Sequence, residues 1–366
     1  MEEKQTEVNE ALRPEAAENA HTEKQQVEQP QTQTEMAQDA QPEAAQPSDS
    51  AARQFSACIS GLMFCLVVFL ASSYAIQISL QLGLLLWARL FHLEFAAALR
   101  QHLLLFSSIP MYCIAFPLTL FLVRWRFPEQ RFLRSSADSR PAAVLHIGPL
   151  RLFACFAAAY ALMLLGNLIG NGLMQVLSNE TPNVVEEAVT RSESWEILLF
   201  TVICAPFAEE LLLRRVLVDR LREFGGGTAV FLSALTFGLM HGNFFQFFYA
   251  FFLGALFAYL YLRSGKLWIT VLLHMLINFM GGYLPQRLLA IEEPGLYQLA
   301  NVLLGAFILL LLVVGIVTLI RGLRRLSLAP RELLRPCSPR WLCAVFWNPG
   351  MIVFLAGSLL LFWMSS

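Results

Sequence analysis

Apolar runs long enough to cross a membrane follow one another along the chain from residue 56 onwards, separated by shorter polar segments. A helix needs about 20 apolar residues to span the hydrocarbon of a bilayer. Barrel strands are excluded because the runs are too long and too uniformly apolar. The pattern predicts an all-α, polytopic membrane helix bundle of about eight to nine transmembrane helices. The candidate spans are 56–76 (or on to 90), 102–123, 149–176, 197–213, 228–241, 244–262, 267–283, 299–320 and 342–363.

Composition divides the chain into a membrane part and a polar tail. Overall, 57% of the residues are hydrophobic and 14% are charged, which excludes an ordinary soluble domain. Residues 1–54 are instead acidic and rich in Gln and Pro, without the apolar positions that a core requires. We therefore predict a disordered tail at 1–54 and a helix bundle at 55–323. A basic loop and a final transmembrane helix follow at 324–366.

Lys and Arg are concentrated in alternate segments between the predicted spans, and this distribution predicts the orientation. One set of segments holds 17 bases and the other set holds 4. The basic set is 124–140, 214–222, 263–266 and 321–340, and the other set is 89–100, 177–196, 242–243 and 284–298. The basic set and the N-terminal tail are therefore predicted in the cytoplasm, with 179–196 as an acidic external loop. Topology and acidic lipid headgroups account for the arginines, so no nucleic-acid partner is expected.

Two adjacent glutamates lie in the fourth predicted span, where a carboxylate costs a few kcal/mol and usually has a function. Glu209 and Glu210 are followed by Arg214, and Glu210 and Arg214 are four residues apart on one helix face. A neutralising ion pair is one explanation of this group. A catalytic or ligand-binding site is the other.

Three further polar residues lie in neighbouring spans: His241, His274 and Asn278. Taken singly, His274 and Asn278 are explained as hydrogen-bonded packing residues. Together with the glutamates, these imidazoles and this carboxamide are the groups that activate a water and stabilise an oxyanion. Glu209, His241 and His274 are also donors of the kind that hold a divalent metal such as zinc. The residues alone leave both possibilities open.

Three short motifs in adjacent spans carry a family resemblance. They are Glu-Glu-x-x-x-Arg in "EELLLR" (209–214), Phe-x-x-x-His in "FGLMH" (237–241) and His-x-x-x-Asn in "HMLIN" (274–278). In order and spacing they resemble the motifs of the CPBP family, which comprises CAAX proteases and bacteriocin-processing enzymes. The resemblance covers about 195–283, and the sequence between the motifs is similar to bacterial members.

The resemblance implies an intramembrane endopeptidase in which Glu209 activates the attacking water. Glu210 and Arg214 would complete the first motif and hold Glu209 in place. Asn278 matches the polar group that helps to hold the oxyanion. The implied substrate is a membrane-associated peptide or protein.

His241 and His274 match the active-site histidines of the family, and Phe237 matches a packing residue that positions His241. Whether these groups use a metal is left open, with zinc held by Glu209, His241 and His274 as the metal-dependent form. We expect Glu209, His241 and His274 to meet in one cavity within the bilayer that opens toward the cytoplasm.

Two other functions stay open beside the protease. One is a non-catalytic immunity or scaffold protein with the family's fold, and the other is a transporter with a buried ion site. No inverted repeat stands out, which argues against the transporter. Because the motif block resembles bacterial members, we expect the plasma membrane of a bacterium and no prenylated clients. Peptide maturation, bacteriocin self-immunity and regulated cleavage of membrane proteins all fit the motifs.

Two local features bear on how the predicted helices pack. In "GNLIG", Gly166 and Gly170 have the small-xxx-small spacing that lets two helices approach closely. Helix geometry also places Glu209 roughly 7 Å inside from Arg214, whereas His241 would lie about 20 Å from the turn at 227. Glu209 and His241 would then lie at different depths and could not share a site. They can lie at one depth only if the fifth helix begins later or lies tilted within the bundle.

Overall fold

All regular secondary structure in the described part of the chain is helical, and those residues contain no strand. The computed structural model describes residues 49–91, 102–127, 147–177, 192–324 and 338–365. The predicted tail lies outside these ranges except for its last residues, and so do most of the loops beside the first, second, third and eighth predicted spans. The predicted disorder of the tail therefore stays a prediction.

Ten helices, some of them interrupted by π-helical turns, make up the described bundle. The uninterrupted ones are α1 (Asp49–Leu90), α3 (Pro149–Leu177), α5 (Gly226–Met240), α6 (Phe244–Ser264), α8 (Pro294–Leu323), α9 (Pro339–Phe346) and α10 (Pro349–Ser365). Helix α2 comprises Leu103–Pro110, the π-helical Met111–Ala115 and Phe116–Arg126. Helix α4 comprises Ser194–Glu196, the π-helical Ile197–Cys204, Ala205–Glu210, the π-helical Leu211–Val218 and Asp219–Leu221. Helix α7 comprises Leu267–Asn278, the π-helical Phe279–Tyr283 and Leu284–Leu289.

Each of the nine predicted spans coincides with helix in the structure. Within the described ranges, six helices are long and apolar enough to cross a membrane, and the bent pair α9–α10 makes a seventh. The all-α polytopic bundle is thus confirmed. The two predicted spans that do not reach this length and hydropathy are α4, which carries the glutamates, and the 15-residue α5, which ends beside His241.

The outer surface of the bundle is apolar, as a bilayer requires. On α8, Val302, Leu303 and Leu309 are each more than half exposed. Only Leu311 and Gly315 of this 30-residue helix are buried, against α3. A surface of this kind is stable in contact with lipid tails and not in water.

Residues 214–222 are helical, so this segment is not the loop between spans that the base count assumed, and its cytoplasmic side stays a prediction. Arg214 is fully buried, and α4 continues to a short 3₁₀ turn before Gly225. Gly225 has φ 135°, a value that favours glycine, and α5 begins at the next residue. Glu209 and His241 are each 16 residues from Gly225 along antiparallel helices. They therefore lie at similar depth, which removes the disagreement in the sequence-based geometry.

Helix α3 lies against α6 at its two glycines, as the small-xxx-small spacing predicted. A Cβ atom on Gly166 would lie 2.3 Å from Cα of Tyr249, and one on Gly170 would lie 2.7 Å from the carbonyl oxygen of Phe244. Only glycine permits this approach. The contact fixes the first turns of α6 beside the C-terminal half of α3.

The last predicted span, 342–363, is broken into α9 and α10, which meet at an angle of 69°. Asn348 lies at the break. Its Nδ2 atom donates to the carbonyl oxygens of Ala344 and Val345, and its Oδ1 atom accepts from the backbone N–H of Met351. One carboxamide thus satisfies backbone groups on both sides of the bend, which explains how polar backbone is tolerated there.

Candidate active site

Helix α4 changes its hydrogen-bonding pattern on both sides of the paired glutamates. A short α-helical segment, Ala205–Glu210, lies between two π-helical segments. Pro206 lacks the N–H that would continue a regular helix and contributes to the first change. Because a π-helical turn rotates the residues that follow it, these interruptions set the direction of the two carboxylates.

Glu210 and Arg214 form a fully buried ion pair with two hydrogen bonds. The Nε atom of Arg214 donates to Oε2 of Glu210 at 2.8 Å, and its Nη2 atom donates to Oε1 at 3.1 Å. Both side chains are 0% exposed. The pair explains how a charged motif is stable inside a membrane bundle, since each charge is neutralised by its partner.

The guanidinium group of Arg214 is also held by three residues of other helices. Its Nη1 atom donates to the hydroxyl of Ser233 on α5 at 2.5 Å. The rings of Phe237 and Phe257 lie on it, with centroids 5.8 and 5.9 Å from Cζ. The cation therefore has hydrogen-bond partners in one plane and aromatic faces beside it.

The His274 imidazole lies between the two carboxylates of the first motif. Its Nδ1 atom is 3.2 Å from Oε1 of Glu210, and its Nε2 atom is 3.7 Å from Oε2 of Glu209. A carboxylate accepts, so the Nδ1 atom donates to Glu210. The ring also contacts Phe237 and Phe257. His274 thus connects the buried Glu210–Arg214 pair to Glu209, whose side chain is 26% exposed.

His241 directly follows the last residue of α5 and has a fixed ring orientation. Its Nδ1 atom lies 2.7 Å from the carbonyl oxygen of Phe237 and must donate to it, because a carbonyl only accepts. In the neutral ring this leaves the lone pair on Nε2. The Phe237 ring packs edge-on against the imidazole, with 4.9 Å between the ring centroids. This contact agrees with the packing role that the family resemblance implies for Phe237. Gly242, with φ 64°, then turns the chain toward α6.

The carboxamide of Asn278 joins α7 to α4. Its Nδ2 atom donates to the carbonyl oxygen of Thr201 at 2.9 Å. Thr201 lies in the first π-helical segment, where the helical hydrogen-bonding pattern is altered. One N–H of the Asn278 amide is used in this bond, and the second remains for another acceptor.

A cavity of about 800 Å³ brings the predicted site residues together. Its lining comes from α1 to α7 and includes Glu209, His241, His274 and Asn278. Glu210 and Arg214 are not part of the lining and lie behind it. The arrangement therefore separates residues that face the cavity from a charged pair that supports them.

The cavity lies in the half of the bundle away from the turns at Gly225 and Gly265. Its lining reaches Asn171 near the end of α3 and Leu289 at the end of α7. The segments that adjoin these ends are the ones with few bases, 177–196 and 284–298. Cytoplasmic basic segments would thus place this end of the cavity on the external side, whereas the cavity was expected to open toward the cytoplasm; both orientations stay predictions.

The predicted metal donors do not form a metal site in this arrangement. No group of three or more His, Cys, Asp or Glu side chains in the described ranges is placed to hold a metal ion. His274 directs its Nδ1 atom to Glu210 and its Nε2 atom toward Glu209, so its two nitrogens already face carboxylates. As placed, these residues do not fit zinc.

Sequence reasoning missed two residues that hold the site together. Ser233 precedes Phe237 and His241 at intervals of four residues, so all three share a face of α5, and this spacing was a usable signal. Phe257 contacts Arg214 and His274 from α6. It lies in a run of aromatic residues, and no local pattern distinguishes it from its neighbours.

Comparison with known proteins matches the region that contains all three motifs. Residues 191–280 match the family described as "Rce1-like: Type II CAAX prenyl endopeptidase Rce1-like". The chain is also 31% identical to CAAX prenyl protease 2 of Homo sapiens over 201 residues, which are 46% of this chain and 60% of that protein. No solved structure matches the chain.

The chain is a multi-pass membrane protein whose residues 191–280 are similar to the Rce1-like CAAX endopeptidases. The resemblance of the motifs is thereby confirmed. The match extends over less than two thirds of the curated relative's length. The matched region carries every residue that the motifs single out, from Glu209 to Asn278.

Proposed function

We propose that this protein is an intramembrane endopeptidase that hydrolyses membrane-associated peptides or proteins with a water activated by Glu209. One observation carries the proposal: Glu209 lines a cavity together with His241, His274 and Asn278, with a buried ion pair behind it. A purely structural ion pair would need only Glu210 and Arg214. It would give no reason for a second carboxylate that faces open space.

The charges of the site balance if one proton is shared between His274 and Glu209. Two carboxylates are then opposed by one guanidinium and one imidazolium, a neutral group of four. Neutrality matters because an uncompensated charge in the bundle is strongly destabilising. With the shared proton on His274, Glu209 is a carboxylate and can act as a general base.

The first step follows from the orientation of these groups. A water in the cavity donates one hydrogen bond to Glu209 and the other to the Nε2 lone pair of His241. Glu209 takes a proton from the water. At the same time the oxygen of the water bonds to the carbonyl carbon of the scissile peptide. The carbonyl π electrons move to the oxygen, which becomes an oxyanion.

The second step uses Asn278 and the proton that Glu209 has received. The N–H of Asn278 that does not bind Thr201 donates to the oxyanion and stabilises it. Glu209 then gives its proton to the departing nitrogen, the C–N bond breaks, and an amine and a carboxylic acid are formed. Its bond to α4 holds the carboxamide of Asn278 on the wall of the cavity.

The substrate is proposed to be a polypeptide segment that reaches the cavity from the membrane. A volume of about 800 Å³ accommodates a short extended segment with its side chains. The human relative is named as a CAAX prenyl protease, whereas the motif block resembles bacterial members. Peptide maturation and bacteriocin self-immunity in a bacterial plasma membrane, with the N-terminal tail in the cytoplasm, remain part of this proposal.

Two peptide pools test the proposal on the purified full chain in proteoliposomes. The acyl-peptide pool consists of synthetic decapeptides of varied sequence with an N-terminal palmitoyl chain. The prenyl-peptide pool carries a farnesylated cysteine as the fourth residue from the C-terminal end, the position of a CAAX cysteine. Mass spectrometry of new termini should show cleavage in at least one pool, and the pool that is cleaved identifies the anchor.

Glu209→Gln keeps the shape of the side chain and removes the basic oxygen. Cleavage should fall by at least about 100-fold, in the range usual for loss of a general base. Glu292→Gln, an exposed glutamate between α7 and α8, is the matched control and should cleave normally. A folded Glu209→Gln protein with the normal rate would refute the mechanism. Failure of the folded wild type to cleave either pool would favour the scaffold alternative.

A further inference from the structure

A repeated Gly-Asn pair on α3, in "GNLIGN" at 166–171, places two carboxamides on the wall of the cavity. Gly166 and Gly170 form the face that lies against α6. Asn167 and Asn171 follow them by one residue each, which is a rotation of about 100° around the helix. Both asparagines line the cavity that also contains Glu209. The glycines thus bring α3 close to α6, and the asparagines use the adjoining face.

Asn167 and Asn171 differ from the neighbouring polar residues because their side chains have no hydrogen-bond partner among the described residues. Asn278 donates to Thr201, and Gln246 donates to the hydroxyl of Tyr249, so these cavity residues are already bonded. Asn167 is partly buried and Asn171 is exposed, and both line the cavity. A carboxamide in a membrane helix normally pairs across helices. These two are left available to a ligand.

A side-chain carboxamide presents one acceptor and two donor hydrogens, the complement of a peptide group. Two such groups four residues apart on a helix are about 6 Å apart along its axis. Successive residues of an extended peptide that point the same way are about 6.6 Å apart. Each asparagine can therefore bond one peptide group of an extended chain, and the two bonds would act in register.

We propose that Asn167 and Asn171 bind the backbone of the substrate in extended form and hold it along α3 beside Glu209. This inference rests on the proposed protease function for its substrate. It explains why the chain combines close-packing glycines with polar residues in one repeat. Binding through the backbone places little demand on the sequence of the substrate. The lipid anchor of the substrate and the other walls of the cavity would then determine which substrates bind.

Binding is measured separately from cleavage, with the acyl-peptide pool and the full chain carrying Glu209→Gln. Peptides that co-elute with the detergent-solubilised protein are quantified by mass spectrometry. Adding Asn167→Leu and Asn171→Leu, which keep the approximate shape, should lower retention by at least about tenfold, since several hydrogen bonds are lost. Asn301→Leu on the exposed face of α8 is the matched control and should leave retention unchanged.

A second measurement changes the peptides and keeps both asparagines, so that its main comparison holds even if the double asparagine variant fails to fold. N-methylation of the backbone amides of the pool removes their donors and should lower retention by Glu209→Gln to a similar extent. In the double asparagine variant, N-methylation should have little further effect. Equal retention of methylated and unmethylated peptides by Glu209→Gln, or no retention at all, would overturn the inference.

The two proposals fail in different ways. If the wild type cleaves the pool and the folded double asparagine variant cleaves it with the same KM and kcat, the backbone-binding role is wrong and the protease stands. If retention depends on the asparagines as described but the wild type cleaves nothing, the binding role stands and the catalytic proposal is wrong. A rise in KM larger than the fall in kcat is the expected kinetic result.

Discussion

Arg214→Met tests whether the buried ion pair is the support of the site. Arg214 makes two hydrogen bonds to Glu210 and one to Ser233, and it is fully buried. Methionine can occupy much of the space between Phe237 and Phe257, so the loss of charge dominates over the loss of volume. Glu210 would keep only its contact with His274.

Two estimates of the cost agree. Breaking a buried ion pair by removing one partner costs about 3–5 kcal/mol, because the other charge is left uncompensated. Two charge-assisted hydrogen bonds at about 1.5–3 kcal/mol each give roughly 3–6 kcal/mol. We therefore expect Arg214→Met to lower the free energy of unfolding by about 3–5 kcal/mol. The combination Glu210→Leu/Arg214→Met removes both charges and should cost at least about 2 kcal/mol less than the two single changes added together.

The assay is unfolding of the full chain in mixed micelles, with rising SDS, followed by tryptophan fluorescence. The matched control is Arg222→Met in the 3₁₀ turn that follows α4. Arg222 is 3.5 Å from Asp219, with side chains 19% and 25% exposed. Pairs this close to the surface contribute about 0–1 kcal/mol, so the control should unfold nearly as the wild type does.

Additive costs in the double variant would refute the reasoning, because they would mean that Glu210 and Arg214 do not depend on one another. A cost for Arg214→Met no larger than for Arg222→Met would refute it as well. It would show that removing the charge of Arg214 leaves Glu210 buried without an energetic penalty. The proposed neutral group of four charges would then not be needed for stability.

The sequence predicted the helices well because apolar length is a local property. Each of the nine spans could be found from its own run of residues, without knowledge of its neighbours. The break at Asn348 was not predicted, because one polar residue beside a proline is also common within an intact transmembrane helix. Its role depends on bonds to Ala344 and Val345, which only the bent geometry creates.

The errors at α4 came from treating every arginine as a loop residue. Arg214 lies inside the bundle because Glu210, Ser233 and two aromatic rings surround it, and three of these groups come from other helices. Base counting cannot distinguish such a residue from one in water. The motif spacing identified the candidate residues, whereas the shape of the cavity depends on seven helices and could not be read from it.

Three further predictions concern the site, the tail and the orientation of the chain. Asn278→Ala should reduce cleavage by about 100-fold, because one oxyanion donor is lost. A chelator such as 1,10-phenanthroline should leave the wild-type rate within twofold. Inhibition by the chelator that added zinc reverses would contradict this. Deleting residues 1–50 should leave unfolding and core cleavage unchanged, because that composition cannot form part of a core; loss of cleavage by the folded truncation would reveal a docking role.

Cysteines introduced at Lys266 and Leu289, at opposite ends of α7, report the orientation in a variant that lacks the native cysteines. Both positions are exposed, so membrane-impermeant maleimide should label intact cells or vesicles at one of them only. Because basic segments favour the cytoplasm, Leu289→Cys should be the one labelled from outside, together with a cysteine in 179–196. Labelling of Lys266→Cys from outside would reverse the predicted orientation and turn the cavity toward the cytoplasm. Labelling of Leu289→Cys and 179–196 from different sides would show instead that the path of the chain between α3 and α7 is wrong.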